Sequence, residues 1–327
     1  MTRSALILCA AWLAAMATAI MFGSVPLGPE RVLAAVSGMG SAGDQIVIWQ
    51  IRLPRALAAT LVGAALGMSG AALQGLLRNP LAEPGVLGVS ASAALAATTA
   101  LYFGLVSAGP LVLPLAAITG ALAATFIVAA AAIRTRSVVT LILIGVGLSS
   151  FAGALMALLM NLAPNPFSLA DMVNWMLGTV ANRSLDDLMM SAPFLIAGMA
   201  MLMSRRRGLA ALSLGEEAAE GIGLDLRRQR LMVILGAGLA TGGAVALAGA
   251  IGFVGIVAPH LVRPFVRYDP ARLLLPSAML GAVMLVVADI GVRLLPTDAE
   301  LKLGVVAALV GAPVFIWIAA RRRSVGA

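Results

Sequence analysis

The chain has few of the residues that build metal centres, disulfide frameworks or soluble surfaces. Among its 327 residues there is one cysteine, Cys9, one histidine, His260, and one lysine, Lys302. A single cysteine excludes a disulfide framework and any cysteine-based metal site, and a single histidine excludes a multi-histidine site. Charged residues make up 11% of the chain, against about 25% in an average soluble domain. The sequence therefore predicts no metal site, no cofactor and no catalytic residues.

Long apolar runs dominate the chain instead. Hydrophobic residues make up 61% of it, and the mean hydropathy is +1.04. The runs are continuous and do not alternate with polar residues, which favours membrane-spanning helices over a β-barrel. We therefore predict an all-α, polytopic membrane protein. The formal net charge of +8 is mostly arginine and requires no nucleic-acid partner.

Ten apolar segments come near the roughly 20 residues that cross a bilayer as a helix. The first could also be a signal peptide, but its length favours a retained span. Segment 161–185 is too polar to be a span. We predict a single transmembrane domain, residues 1–327, with spans at 5–23, 56–77, 86–106, 111–133, 138–161, 186–204, 230–249, 250–266, 273–294 and 302–320.

The distribution of positive charge predicts the orientation. With Arg3 placed inside, sixteen of the 22 arginine and lysine residues fall on the inner side and the other six on the outer side. Cytoplasmic loops carry such an excess of positive charge. The bias predicts that the N- and C-termini lie in the cytoplasm.

The longest charged segment contains ten ionisable residues between Arg205 and Arg230. We call residues 205–229 the charged loop. Ser213 followed by Glu216 predicts a capping box at the start of a short helix. On these residues alone, two interpretations are open: a contact for a soluble partner, or a solvated loop with a local helix.

Glycine and aspartate predict where this short helix ends and the next one begins. Gly221 and Gly223 are typical of a helix stop. Asp225 is a typical N-cap for a second helix that continues into the next span. The charged loop is therefore predicted to be folded.

Three stretches carry more specific information. The first is Arg52-Leu-Pro-Arg55 with the segment 62–90, and the second is LGEEAAEGIGLD at 214–225. The third is ALAGAIGFVGIVAPHLVRPF at 246–265, continued by 288–293 and 300–317. In this order and spacing they closely resemble the FecCD permease family, over about residues 48–317. These permeases are transmembrane subunits of ABC importers for ferric siderophores, haem and cobalamin.

The resemblance implies a type II importer permease of ten helices in the cytoplasmic (inner) membrane. Its implied partners are a second permease copy (identical or closely related), two cytoplasmic ATPase subunits and a periplasmic or lipid-anchored binding protein. The chain lacks a GxxxxGK[ST] motif, so it is not itself the ATPase. A ferric siderophore is the expected cargo, with cobalamin or haem as the alternative.

The resemblance also implies roles for particular residues. Outer arginines would pair with acids of the binding protein, although arginines snorkelling to headgroups are an alternative, and Asp289 could simply neutralise Arg293 one helical turn away. The implied docking residues are Arg52, Arg55 and Arg293; the ATPase-coupling residues are Gly215, Glu216, Glu217, Glu220, Gly221 and Gly223; and the gate residues are Ser137 and Thr140.

Other classes of function fit less well. An ion-coupled secondary transporter needs ionisable residues at mid-membrane. The only acid well inside a predicted span is Asp289, and it lies near the span's end beside Arg293. A membrane-embedded enzyme would need clustered His, Asp or Glu within the spans, and the sequence contains no such cluster.

Overall fold

The computed structural model describes residues 3–23, 25–135, 137–295 and 300–322, with side chains between residues 5 and 316. Over these ranges the chain is helical, as predicted, and strands are absent from the described part. Its α-helices are α1 (Arg3–Met21), α2 (Pro29–Val36), α3 (Ala42–Ile46), α4 (Leu53–Leu76), α5 (Val89–Tyr102), α6 (Val112–Arg134), α7 (Val138–Asn161), α8 (Pro166–Met176), α9 (Leu185–Ser204), α10 (Arg206–Leu212), α11 (Glu216–Gly221), α12 (Leu226–Ala248), α13 (Val254–Val262), α14 (Pro270–Leu294) and α15 (Leu303–Arg322).

Apolar helices occupy the positions of all ten predicted spans. Within the described ranges, six are long and apolar enough to cross a membrane. Counted over the residues whose side chains are described, the other four are shorter: Ala5–Met21, Val89–Tyr102, Val254–Val266 and Leu303–Ile316. The bundle is therefore that of a multi-pass membrane protein, with spans of unequal length.

The helix that contains the second predicted span begins well before residue 56. A π-helix, Val47–Arg52, joins α3 to α4, so that the helix runs without a break from Ala42 to Leu76. Pro54, which has no N–H to donate, lies where the π-helix passes into α4, and the helix continues past it. Arg52 and Arg55, which precede the predicted start at residue 56, are both buried within this helix.

Helix α4 lies at the centre of the bundle and packs against α14, α12 and α13. Three of its glycines make these contacts possible. A Cβ added at Gly63, Gly67 or Gly70 would overlap a backbone carbonyl of α14 or α13. Small residues of this kind let helix backbones approach closely in a membrane protein.

The helix is interrupted between α12 and α13, which agrees with the boundary predicted between the spans 230–249 and 250–266. Helix α12 ends at Ala248, and Gly249 follows with φ +71°. Phe253, just before α13, also has a positive φ, of +66°. Two left-handed residues so close together end one helix and start the next in a new direction.

Candidate coupling and docking sites

The charged loop folds into two short helices, α10 and α11, ahead of α12. Asp225 caps α12, since its Oδ1 accepts a hydrogen bond from the Arg228 N–H at 2.9 Å. Helix α11 ends at Gly221, and Gly223 follows with φ +89°. The predicted cap of the second helix and the predicted glycine stop are both confirmed.

The predicted capping box at the start of α11 is wrong. Gly215 directly precedes the helix with φ +106°, and it offers no side chain to cap it. Because the chain changes direction at Gly215, Ser213 stays at the C-terminal end of α10. Its Oγ donates a hydrogen bond to the Ala210 carbonyl at 2.6 Å. Glu216 therefore has a different partner.

That partner is Arg230, a buried residue of α12. Arg230 Nη2 donates to Glu216 Oε1 at 2.6 Å, which ties α11 to the membrane-spanning helix behind it. Glu217 and Glu220 are exposed. The structure thus separates one acid that holds the loop in place from two that face outward. Their contact with an ATPase stays a prediction.

A buried glutamine, which the sequence reasoning missed, also fixes the charged loop. Gln229 of α12 donates from Nε2 to the Arg205 carbonyl at 3.0 Å. Gly208 of α10 packs so closely on this amide that a Cβ there would overlap it. Gln229 stands among the arginines at 227, 228 and 230, so the sequence carried no local signal that it would be buried.

At the opposite end of the bundle lies the ionic cluster, which consists of Arg55, Asp289, Arg293 and Glu300. Arg55 Nε donates to both oxygens of Asp289, at 2.9 and 3.1 Å. Arg293 Nε donates to Asp289 Oδ2 at 2.8 Å, which confirms the predicted pairing one turn apart. Arg55 also pairs with Glu300, whose part in the cluster the sequence reasoning missed.

Two arginines cap the C-terminal end of α1, which has no basic residue in its own last turn. Arg293 Nη1 donates to the Ala19 carbonyl at 3.0 Å. Arg52 Nη1 donates to the carbonyls of Ile20 at 2.6 Å and Met21 at 2.8 Å. The last carbonyls of a helix lack intrahelical donors and carry partial negative charge, so guanidinium groups stabilise them.

The structure therefore brings the three predicted docking arginines to one end of the bundle. Each is less than 10% exposed and has partners within the chain. The three guanidinium groups outnumber the carboxylates of Asp289 and Glu300, so these five residues together keep a net positive charge. Docking of a binding protein there stays a prediction.

The predicted gate residues lie where α6 meets α7. Ser137 is exposed and caps α7, since its Oγ accepts a hydrogen bond from the Thr140 N–H at 3.2 Å. Arg136 lies outside the described residues. The cap accounts for a hydroxyl side chain at Ser137, and a gating role for either residue stays a prediction.

Comparison with known proteins identifies the family. The FecCD transport family matches residues 9–321. The chain is 42% identical to the vitamin B12 import system permease protein BtuC of Klebsiella pneumoniae, over 88% of this chain and 86% of that protein. It is 40% identical to the uncharacterized ABC transporter permease protein YvrB of Bacillus subtilis, over 86% of this chain and 80% of that one.

A solved structure has the same fold. It shows a metal-chelate type ABC transporter in an inward-facing conformation, with a TM-score of 0.88 and 30% sequence identity. The alignment covers 97% of this chain and 98% of the other. Together with the ten apolar helices, these similarities show that the chain belongs to the FecCD transport family, as a non-catalytic, multi-pass permease subunit of an ABC transporter.

Proposed function

We propose that this permease imports cobalamin. The observation that carries the proposal is the 42% identity with a vitamin B12 import permease over 88% of the chain. The sequence alone favoured a ferric siderophore, and this comparison changes the preferred cargo. The likeness to a metal-chelate type transporter keeps a siderophore or haem as the alternative.

We assign one apolar cavity to the cargo path, and such a path does not itself select the cargo. About 540 Å³ in volume, the cavity lies between α13, α14 and α15 and is lined by uncharged residues, including Val257, Met284 and Val310. Such a wall has no charges to hold a large ligand tightly. Selection is then left to the binding protein, and the permease opens and closes around the cargo.

The ionic cluster argues against ion coupling. Asp289 is 1% exposed, and two arginines share its carboxylate. Both of its oxygens accept hydrogen bonds from guanidinium groups, so the carboxylate is not available to coordinate a coupling cation. The driving force is proposed to come from ATP hydrolysis in partner subunits.

The arrangement of the two ends suggests where the partners bind. We assign the charged loop to the cytoplasmic side, where two ATPase subunits would contact the exposed acids of α11. The ionic cluster then lies on the outer side, where the binding protein would dock. A second permease copy completes the transporter, and both termini of this chain lie in the cytoplasm.

Uptake of labelled cobalamin tests the cargo. Cells lacking this gene are expected to lose most uptake of radiolabelled cobalamin and to regain it with the wild-type gene. Ferric siderophores and haem are offered in parallel. If the cells instead lose siderophore or haem uptake and keep normal cobalamin uptake, the cargo is that siderophore or haem and not cobalamin.

A charge-reversal variant in the same uptake assay tests coupling of the permease to the ATPase subunits. Glu217→Arg changes an exposed residue of α11 and leaves the Glu216–Arg230 pair in place. It should abolish rescue while the protein stays in the membrane at wild-type levels. Normal uptake by this variant would contradict contact between α11 and an ATPase.

Docking is best tested at Lys302, because reversing a buried arginine would disrupt the fold. Lys302 is partly exposed and follows Glu300 of the ionic cluster by two residues. With the binding protein titrated onto purified transporter, Lys302→Glu is expected to weaken the complex roughly tenfold, as reversal of a charge at an interface does. Arg272→Glu, with the same change in charge at the opposite end, is the control. Equal affinities for the two variants would contradict docking at this end.

A further inference from the structure

A polar cavity at the charged-loop end has no role in the proposals above. About 290 Å³ in volume, it lies between the C-terminal end of α4, helix α10 and the start of α14. Arg78, Arg263, Gln74, Ser213 and Tyr268 supply its polar wall. The lining contains two guanidinium groups and no carboxylate, which is the composition of a site for an anion.

One of the two arginines is held in position by a buried amide. Gln74 is 3% exposed and donates from Nε2 to the Gly255 carbonyl of α13 at 3.2 Å. Its Oε1 accepts a hydrogen bond from Arg263. Because the amide is anchored to the backbone of another helix, the guanidinium is oriented at the cavity wall before any ligand arrives.

The backbone around the cavity is strained. In the described part of the chain, five residues other than glycine have positive φ, and three of them, Arg78, Arg267 and Tyr268, lie in or beside this wall. Left-handed backbone at non-glycine residues costs free energy and persists where the surrounding structure requires it, often at ligand sites. Arg78 and Tyr268 both line the cavity in this conformation.

The surroundings of the cavity indicate the source of the anion. Phe265 and Tyr268 are 75% and 65% exposed at this end of a membrane protein. Exposed aromatic residues beside arginines are typical of the level of lipid headgroups. Guanidinium groups bind phosphate oxygens in paired, charge-assisted hydrogen bonds.

We propose that this cavity binds the phosphate of an anionic phospholipid headgroup, and that the bound headgroup joins α4 and α14 to α10 of the charged loop. The site would make the position of the charged loop depend on the lipid around the transporter. This inference rests on the chain being a membrane permease and is independent of its cargo.

Binding to the delipidated transporter complex tests the proposal. Short-chain phosphatidylglycerol, phosphatidylcholine and inorganic phosphate are each titrated, and bound molecules are measured by native mass spectrometry. Phosphatidylglycerol is expected to bind at least tenfold more tightly than phosphatidylcholine. Arg78→Gln should weaken it roughly tenfold, in keeping with the loss of one charged hydrogen-bond donor. Arg272→Gln, an exposed arginine at the same end that does not line the cavity, should bind as the wild type does.

The outcomes separate the sources of phosphate and decide the proposal. Arg263 is not substituted, because Arg263→Gln would remove a hydrogen-bond partner of buried Gln74 and destabilise the fold. Arg78 is substituted instead, because its side chain is exposed. The other candidate ligand of the site is inorganic phosphate. If it competes with phosphatidylglycerol and its binding is lost in Arg78→Gln, the cavity is an anion site for free phosphate. Equal affinity for the two lipids, or wild-type binding by Arg78→Gln, would overturn the proposal.

Discussion

Gly70→Ala is expected to destabilise the helix bundle by about 3 kcal/mol or more, at the upper end of the cost of overpacking. A Cβ at this position would overlap the carbonyl oxygen of Gly255 in α13. A side chain could rotate away, but a backbone carbonyl moves only when its helix moves. Helices α4 and α13 would have to separate, and the added methyl group would open gaps along their contact. Thermal unfolding of the purified protein in detergent measures the loss.

Gly75→Ala is the matched control, because Gly75 lies on the same helix. Its added Cβ would meet Leu209 Cδ2 at 3.5 Å, an ordinary van der Waals distance. Alanine also favours helix over glycine by up to about 1 kcal/mol. This variant should unfold at the wild-type temperature or slightly above it. If the two variants unfold at the same temperature, α4 and α13 are not packed through Gly70.

Asp289→Ala is expected to cost about 3–5 kcal/mol, the usual result of removing one partner from a buried ion pair. The change leaves Arg55 and Arg293 buried side by side without the carboxylate that they share. Glu300 remains for Arg55 alone. The same unfolding assay should show a clear loss, together with less protein in the membrane.

The control for Asp289 lies at the other end of α14. Arg272 pairs with Asp269 at 3.2 Å, and its side chain is 71% exposed. Exposed pairs contribute about 0–1 kcal/mol, because water and salt screen them. Arg272→Ala should therefore unfold close to the wild-type temperature. A similar small effect for Asp289→Ala would contradict the burial of the ionic cluster.

Features that depend only on residues close together in the sequence could be predicted from it. In lipid a helix satisfies its own backbone hydrogen bonds, so a sufficiently long apolar run becomes a span whatever surrounds it. For this reason the places of the ten apolar helices along the chain could be predicted, whereas their lengths could not. The Asp225 cap and the Asp289–Arg293 pair join residues three and four positions apart, and both were predicted correctly. The capping box at Ser213 was also a local prediction, but Gly215 turned the chain away from it.

The sequence by itself thus determined the class of protein, the places of its apolar helices and its family. Only the tertiary structure decided which distant residues meet. Arg55 reaches Asp289 across 234 positions, and Arg263 reaches Gln74 across 189. Those contacts depend on how α4 packs against α13 and α14, which follows from the fit of glycines to backbone carbonyls over whole helix faces. Periodicity along one segment contains no information about that fit.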